Sequence, residues 1–225
     1  MCGRFALITP AGQIAEIFAV DGLPDLVPRY NIAPTSPVSG IVLRDGARRH
    51  ETFRWGLIPT WAKDRKIGAR MINARGETVH AKPAFRDAFR QRRALIVADG
   101  FYEWTRQGRA KLPHLIQVDS GRPFALAGLW SFWRDPVTQE AIQSCTVLTT
   151  TPNALMAPIH DRMPVILDRA SWDLWLGPDS DAATLKTLIQ PFDPSRMTTR
   201  RVHQTVNSVR NEGPTLHAPF TGDGS

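Results

Sequence analysis

"ALIVADGFYEWTRQGRAKLPHLIQVDSGRPFALAGLW" runs from Ala94 to Trp130, and its reading decides the fold. It divides into four short apolar runs, "ALIVAD", "FYEWT", "HLIQV" and "PFALAGLW", each of strand length and none with a helical repeat. Four strands in succession leave no room for the helices of a regular β-α-β alternation. Outward from this stretch the pattern continues. "VSGIVLR" and "HETFRWG" precede it as strands, and "SCTVLTT" and "RRVHQTV" follow it.

Helices are fewer and short. "TPAGQIAEIFAV" predicts one, with Thr9 as cap, Pro10 in the first turn, and Ile14, Ile17 and Phe18 on one face. "PAFRDAFRQRR" predicts a basic helix whose Phe85 and Phe89 face the core together. Others are expected at "PNALMAPI", "ASWDLWL" and "DAATLKTLIQ", while the proline-rich "DGLPDLVPRYNIAPTSP" reads as a loop anchored by Tyr30 and Ile32. The predicted fold is α+β: a single domain over residues 1–225. It is built on a curved, mostly antiparallel, barrel-like β-sheet with short helices packed outside. Its ordered core covers about residues 2–212, with a loose tail from Gly213 on.

Composition narrows the function classes. No run approaches the ~20 apolar residues of a membrane span, and no basic-then-apolar leader opens the chain. Two cysteines make no disulfide framework and point to a reducing, cytoplasmic location. Cysteines and clustered histidines are too few for a zinc site, so no metal and no cofactor are expected. The net charge of +7 is uneven: residues 1–112 hold 19 Lys and Arg against 10 Asp and Glu, and the rest hold 9 against 11. Arginine, whose planar fork suits phosphate, supplies 23 of the 28 cations. A GC-rich genome gives the same bias, so composition alone leaves a polyanionic partner an even choice.

Five segments carry chemistry. Cys2, once Met1 is removed, would present an α-amine and a thiol on adjacent carbons. "RWGLIPTWAKD" sets Trp55 and Trp61 around a turn with Lys63 and Arg65 after it, a stacking platform for single-stranded nucleic acid unless both indoles are core. Trp55 reads as core and Trp61 as exposed. "MINARGETV" puts Asn73, Arg75 and Glu77 on one face if extended, either as a site or as a solvated strand face. Glu103, between Tyr102 and Trp104, is either a desolvated carboxyl suited to proton transfer or an outward residue of an edge strand. "PIHDRMPVIL" stiffens His160 between Pro158 and Pro164, with Arg162 two residues on.

Taken in order, "CGRF", "YNIAPT", "RWGLIPTWAKD", "INARGETV", "GFYEW", "IHDRMPVIL" and "VNSVRNEGP" resemble the SOS-response-associated peptidase (SRAP) family from Cys2 to about Pro214. The resemblance implies a protein that processes abasic sites in single-stranded DNA during the DNA damage response. Processed Cys2 would form a Schiff base with the open-chain aldehyde and close a thiazolidine, a covalent DNA–protein cross-link. It also implies roles for the residues singled out above. Glu103 would move protons at the amine, and His160 at the sugar hydroxyl. Asn73 would position Cys2 and the deoxyribose. Arg4, Arg75 and Arg162 would clamp phosphates, with Trp61 as a stacking surface. The family name adds a possible autoproteolytic peptidase activity. The expected partner is abasic single-stranded DNA, with no membrane and no small-molecule cofactor. The protein is expected to be a monomer, cytoplasmic and nucleoid-associated when engaged. Two other readings stand beside it: a non-covalent single-strand-binding module, and an N-terminal-nucleophile peptidase.

Overall fold

The computed structural model describes residues 2–220. Its strands in chain order are β1 (Phe5–Leu7), β2 (Arg29–Ile32), β3 (Pro37–Arg44), β4 (Ala47–Trp55), β5 (Asn73–Arg75), β6 (Arg93–Ala98), β7 (Gly100–Gln107), β8 (Ala110–Val118), β9 (Phe124–Arg134), β10 (Ala141–Thr150), β11 (Met163–Pro164), β12 (Ile166–Leu167) and β13 (Met197–Arg201). Four helices accompany them: α1 (Ala11–Phe18), α2 (Arg86–Gln91), α3 (Trp172–Leu176) and α4 (Ala182–Thr187).

Five of these strands close a barrel in the order β10-β4-β3-β6-β9 and back to β10. All contacts around it are antiparallel except one. β10 lies parallel to β4 through Ser144 opposite Arg54 and Cys145 opposite Trp55. β10 also runs antiparallel to β9, from Ala141 opposite Arg134 to Val147 opposite Gly128. Every residue of β6 is buried, as expected of a strand covered on both faces. The core runs through Ile41, Phe53, Trp55, Leu95, Leu126 and Val147. The architecture is thus α+β, one domain, with the barrel predicted from the strand-rich sequence.

A second, fully antiparallel sheet, in the order β13-β8-β7-β1-β2, leans on the barrel. Here β1 is an interior strand. Phe5 sits opposite Ile32 on one side and Phe101 on the other. Asp99, at the junction of β6 and β7, accepts from the backbone N–H groups of Ile8 and Thr9 and from the Thr9 hydroxyl. Phe5 packs on Trp55 with ring centroids 5.0 Å apart, tying this sheet to the barrel. The beginning of the chain is therefore threaded into the fold.

Gly56, just after β4, has φ of +129°, and a Cβ there would lie 2.5 Å from the carbonyl oxygen of Gly68. Only glycine permits this crossing, which turns the chain from the barrel into the loop leading to β5.

Several local expectations are corrected. Thr9 caps no helix, because its hydroxyl is committed to Asp99; α1 starts with Pro10 as its boundary residue. "PNALMAPI" forms turns closed by Met156 N–H to Asn153 O and His160 N–H to Met156 O. The last strand is Met197–Arg201, upstream of the expected "RRVHQTV", and residues 204–207 form a 3₁₀ turn. The segment after Gly213 is packed: Leu216 is buried and Phe220 N–H donates to Arg201 O, because Val202 and Pro219 bridge. Only residues 221–225 of the expected loose tail lie outside the described residues.

Candidate active site

Cys2 precedes β1 and is fully buried in the main core cluster. Its carbonyl oxygen accepts a hydrogen bond from Asn73 Nδ2 at 2.8 Å. Asn73 is the first residue of β5, placed there by parallel pairing with β10 through Val147 opposite Asn73 and Thr149 opposite Arg75. The other amide atom of Asn73, Oδ1, is buried with no hydrogen-bond partner. A polar atom in that state is costly unless something completes it.

Glu103 lies on β7, two residues beyond Phe101 and on the same face, since strand side chains alternate. It is 2% exposed, which settles its two sequence readings in favour of the buried one. Burial pushes its carboxyl up to about 7, and the charge of Asp161 acts in the same direction. Burial also raises the Cys2 thiol far above its ordinary value, and the nearby Glu103 charge raises it further. The sulfur is therefore held as S–H.

His160 follows the turns that end at Ile159. Its Nδ1 lies 2.9 Å from the backbone N–H of Arg162 and 2.9 Å from an Asp161 carboxylate oxygen. The two contacts demand opposite states of that nitrogen. Burial holds the imidazole below its ordinary value, which favours the neutral ring. A neutral ring that accepts from the Arg162 amide carries its proton on Nε2.

Glu103 and His160 share one cavity of about 400 Å³, walled by them with Gly3 and Arg4 on one part and Trp104, Arg106, Lys111 and Asn207 on the other. Arg4 is buried and anchored: its guanidinium donates to Asn31 Oδ1 at 2.6 Å and to Val206 O at 2.9 Å, and lies 5.7 Å from the Trp104 ring. Asn31 in turn donates to the carbonyls of Ser208 and Asn211. The "YNIAPT" and "VNSVRNEGP" stretches are thereby explained as two halves of one clasp behind Arg4.

Of the residues singled out in the sequence, Asn73 is bonded to Cys2, Glu103 lies near Cys2, and Glu103, His160 and Arg4 wall one cavity. Arg75, at the end of β5, is exposed. Glu77 does not continue its strand, since β5 stops at Arg75 and a turn follows. Arg162 is held by partners within the protein. Its guanidinium binds both oxygens of Glu77, at 2.6 and 2.9 Å, and the carbonyl of Thr149 at 2.7 Å. In this structure both arms of the fork are closed on a carboxylate. Trp61 is 58% exposed, but lines a separate concavity with Lys63, Lys66 and Arg70. Trp55 is core, its indole N–H bonded to Ile72 O.

Arg106, Lys111, Trp104 and Asn207 are additions that motif reading missed. One signal was available. Arg106 and Lys111 stand directly opposite each other across the β7–β8 hairpin. Like charges so placed repel, and an anion between them would relieve that. Asn207 is fixed by Trp104, whose indole donates to its Oδ1 at 2.6 Å.

Among the described residues there is no group of three or more His, Cys, Asp or Glu side chains that could hold a metal, and no helix long and apolar enough to cross a membrane.

Comparison with known proteins identifies the family. The family model for SOS response associated peptidase (SRAP) matches residues 1–209. The abasic site processing protein YoqW of Bacillus subtilis is 44% identical over 221 residues, covering 96% of this chain and 98% of that one. YedK of Escherichia coli, also an abasic site processing protein, is 26% identical over 97% of this chain and 100% of its own. A crystal structure of a protein from Bacteroides thetaiotaomicron superposes with a TM-score of 0.87 at 26% identity, covering 96% of this chain and 98% of that one.

Proposed function

The chain belongs to the SOS response associated peptidase (SRAP) family, and from that premise we propose that it captures abasic sites in single-stranded DNA by bonding to them through Cys2. Processing of abasic sites is what the names of its relatives describe. The observation that carries the covalent reading is the seat of Cys2. Asn73 holds its carbonyl, and the cavity beside it is walled by a carboxyl poised near neutrality and a neutral imidazole.

The chemistry begins with loss of Met1, which frees the Cys2 nitrogen from its amide. An α-amine has a pKa of about 7.7–8.0, so a useful fraction is uncharged near neutrality. Its lone pair attacks the aldehyde carbon of the ring-opened sugar. The carbinolamine loses water, with protonated Glu103 supplying the proton to the departing hydroxyl and then taking the N–H proton of the iminium, so that an imine remains. The Cys2 S–H then adds across the C=N bond. A C–S bond forms, the thiol proton passes by way of Glu103 to nitrogen, and a thiazolidine closes with one water released overall. Because burial keeps the sulfur protonated, the amine is the first nucleophile and the thiol the second. His160, protonated on Nε2, serves the sugar oxygen during ring opening. Asn73 Oδ1 has capacity left for a sugar hydroxyl.

For phosphate contacts the structure favours Arg106 and Lys111 on the cavity wall, with exposed Arg75, in place of Arg162. Arg4 contributes its charge from a fixed position.

Incubating the protein with a single-stranded oligonucleotide carrying one abasic site, then running a denaturing gel, tests the reading. A shifted band is expected for wild type and none for Cys2→Ala; no band for wild type discards it. Intact-mass spectrometry should show the loss of one methionine. One observation favours non-covalent binding: Trp61 stands exposed beside Lys63. That reading gains if undamaged strands bind as tightly as abasic ones and no band survives denaturation.

A further inference from the structure

We propose that Glu77 is a positioning residue that sets the tautomer of His160 through Arg162. The inference rests on the role given to His160 above and identifies what prepares it.

Among the described residues, His160 Nδ1 has two candidate partners at the same 2.9 Å distance, the Arg162 backbone N–H and the Asp161 carboxylate. The amide can only donate, so it requires a bare Nδ1 and leaves the proton on Nε2. The carboxylate can only accept, so it draws the proton to Nδ1. Which one prevails depends on how firmly each is held. Asp161 is a surface residue with 88% of its side chain exposed. A carboxylate exposed to water is a weak competitor. The Arg162 amide, in contrast, belongs to a residue fastened at three points.

That fastening comes from a distant part of the chain. Glu77 follows β5, and β5 lies alongside β10 with Arg75 opposite Thr149. The Thr149 carbonyl accepts from Gly76 N–H at 2.9 Å and from the Arg162 guanidinium at 2.7 Å. Both Glu77 oxygens close on the same guanidinium, whose side chain is only 15% exposed. A bidentate fork in a half-dry setting is geometrically specific. Arg162 also holds the Glu77 carboxyl below the usual carboxylate range. The chain of contacts therefore runs Glu77 to the Arg162 side chain, and from the Arg162 backbone to His160 Nδ1. It explains why an arginine two residues beyond the histidine faces a carboxylate.

The test is ¹⁵N NMR of the imidazole nitrogens in the full chain, without DNA. Wild type is expected to show one tautomer, with Nε2 protonated and Nδ1 bare. Glu77→Ala, and Arg162→Lys, which keeps the charge but loses the fork, should each give a mixture containing Nδ1–H. Adding Asp161→Ala to Glu77→Ala should restore the single tautomer, a rescue that general loss of stability cannot produce. Unchanged imidazole shifts in folded Glu77→Ala overturn the proposal, as does failure of the Asp161→Ala rescue. Failure of wild type to cross-link abasic DNA would instead remove the reading of the preceding subsection and leave this result intact.

Discussion

Asn73 and Cys2, 71 residues apart in sequence, meet through a single hydrogen bond from the Asn73 amide to the Cys2 carbonyl. The bond fixes the backbone that carries, in the proposed chemistry, the amine and thiol of Cys2. It also joins the start of the chain to a strand that itself pairs with the barrel. Reactive groups held in this way meet their target with less orientational freedom left to lose.

Asn73→Ala is expected to slow cross-linking by about tenfold, equivalent to about 1.4 kcal/mol, the order of one lost hydrogen bond. Denaturing gels sampled over time measure the rate, and thermal unfolding checks that the fold survives. An unchanged rate would assign this contact to structure alone.

Glu103 has a carboxyl raised to about 7 by burial, so its charge changes within the physiological range. The cross-linking rate is expected to vary with pH around that value, and Glu103→Gln should lose that inflection while still binding undamaged single strands. The stability follows from the same shift. Because the folded state holds this proton more tightly than the unfolded chain, wild type loses stability as pH rises from the ordinary carboxyl range to about 7. Glu103→Gln removes that loss, so its melting temperature should gain on wild type over the interval. Parallel pH dependence in both proteins would remove Glu103 from the proton chemistry.

Arg106→Gln and Lys111→Gln should each weaken binding to single-stranded DNA. Each should also reduce the salt dependence of affinity by about one counterion equivalent. Arg162→Gln should leave the salt slope in place, because Glu77 already occupies its guanidinium. Fluorescence anisotropy across a salt series distinguishes them; a reduced slope for Arg162→Gln alone would reverse the assignment.

Gly56→Ala should destabilise the protein by about 2 kcal/mol or more, since its φ is strained for any side chain and the Gly68 carbonyl leaves no room. Urea titration reads this as a lower midpoint at constant slope. A midpoint equal to wild type would mean that the crossing relaxes freely.

Thr35 carries the opposite opportunity. It is a β-branched residue at φ of 68°, held by its N–H to Trp55 O and by Arg54 to its own carbonyl. Thr35→Asn, which tolerates left-handed backbone, should stabilise by about 1 kcal/mol. A lower melting temperature would show that the threonine side chain has a packing role larger than its strain.

By itself the sequence determined the kinds of groups available and most of the elements that carry them. Strand-length apolar runs between Ala94 and Trp130 excluded β-α-β alternation, because alternation and run length are local properties. The ordered set of short stretches, from "CGRF" to "VNSVRNEGP", marked Cys2, Asn73, Glu103 and His160. Tertiary structure alone decided what each polar side chain faces. Barrel closure needs β10 to pair with both β4 and β9, and no local pattern encodes a partner that far away. Arg162 looked like a phosphate contact, but a guanidinium binds carboxylate and phosphate with the same fork. Folding brings Glu77 to it from 85 residues away. Arg106 and Lys111 belong to no segment singled out in the sequence; the fold places them on one cavity wall with Glu103 and His160. Charge type is written residue by residue; the partner that satisfies it is chosen by contacts distant in sequence.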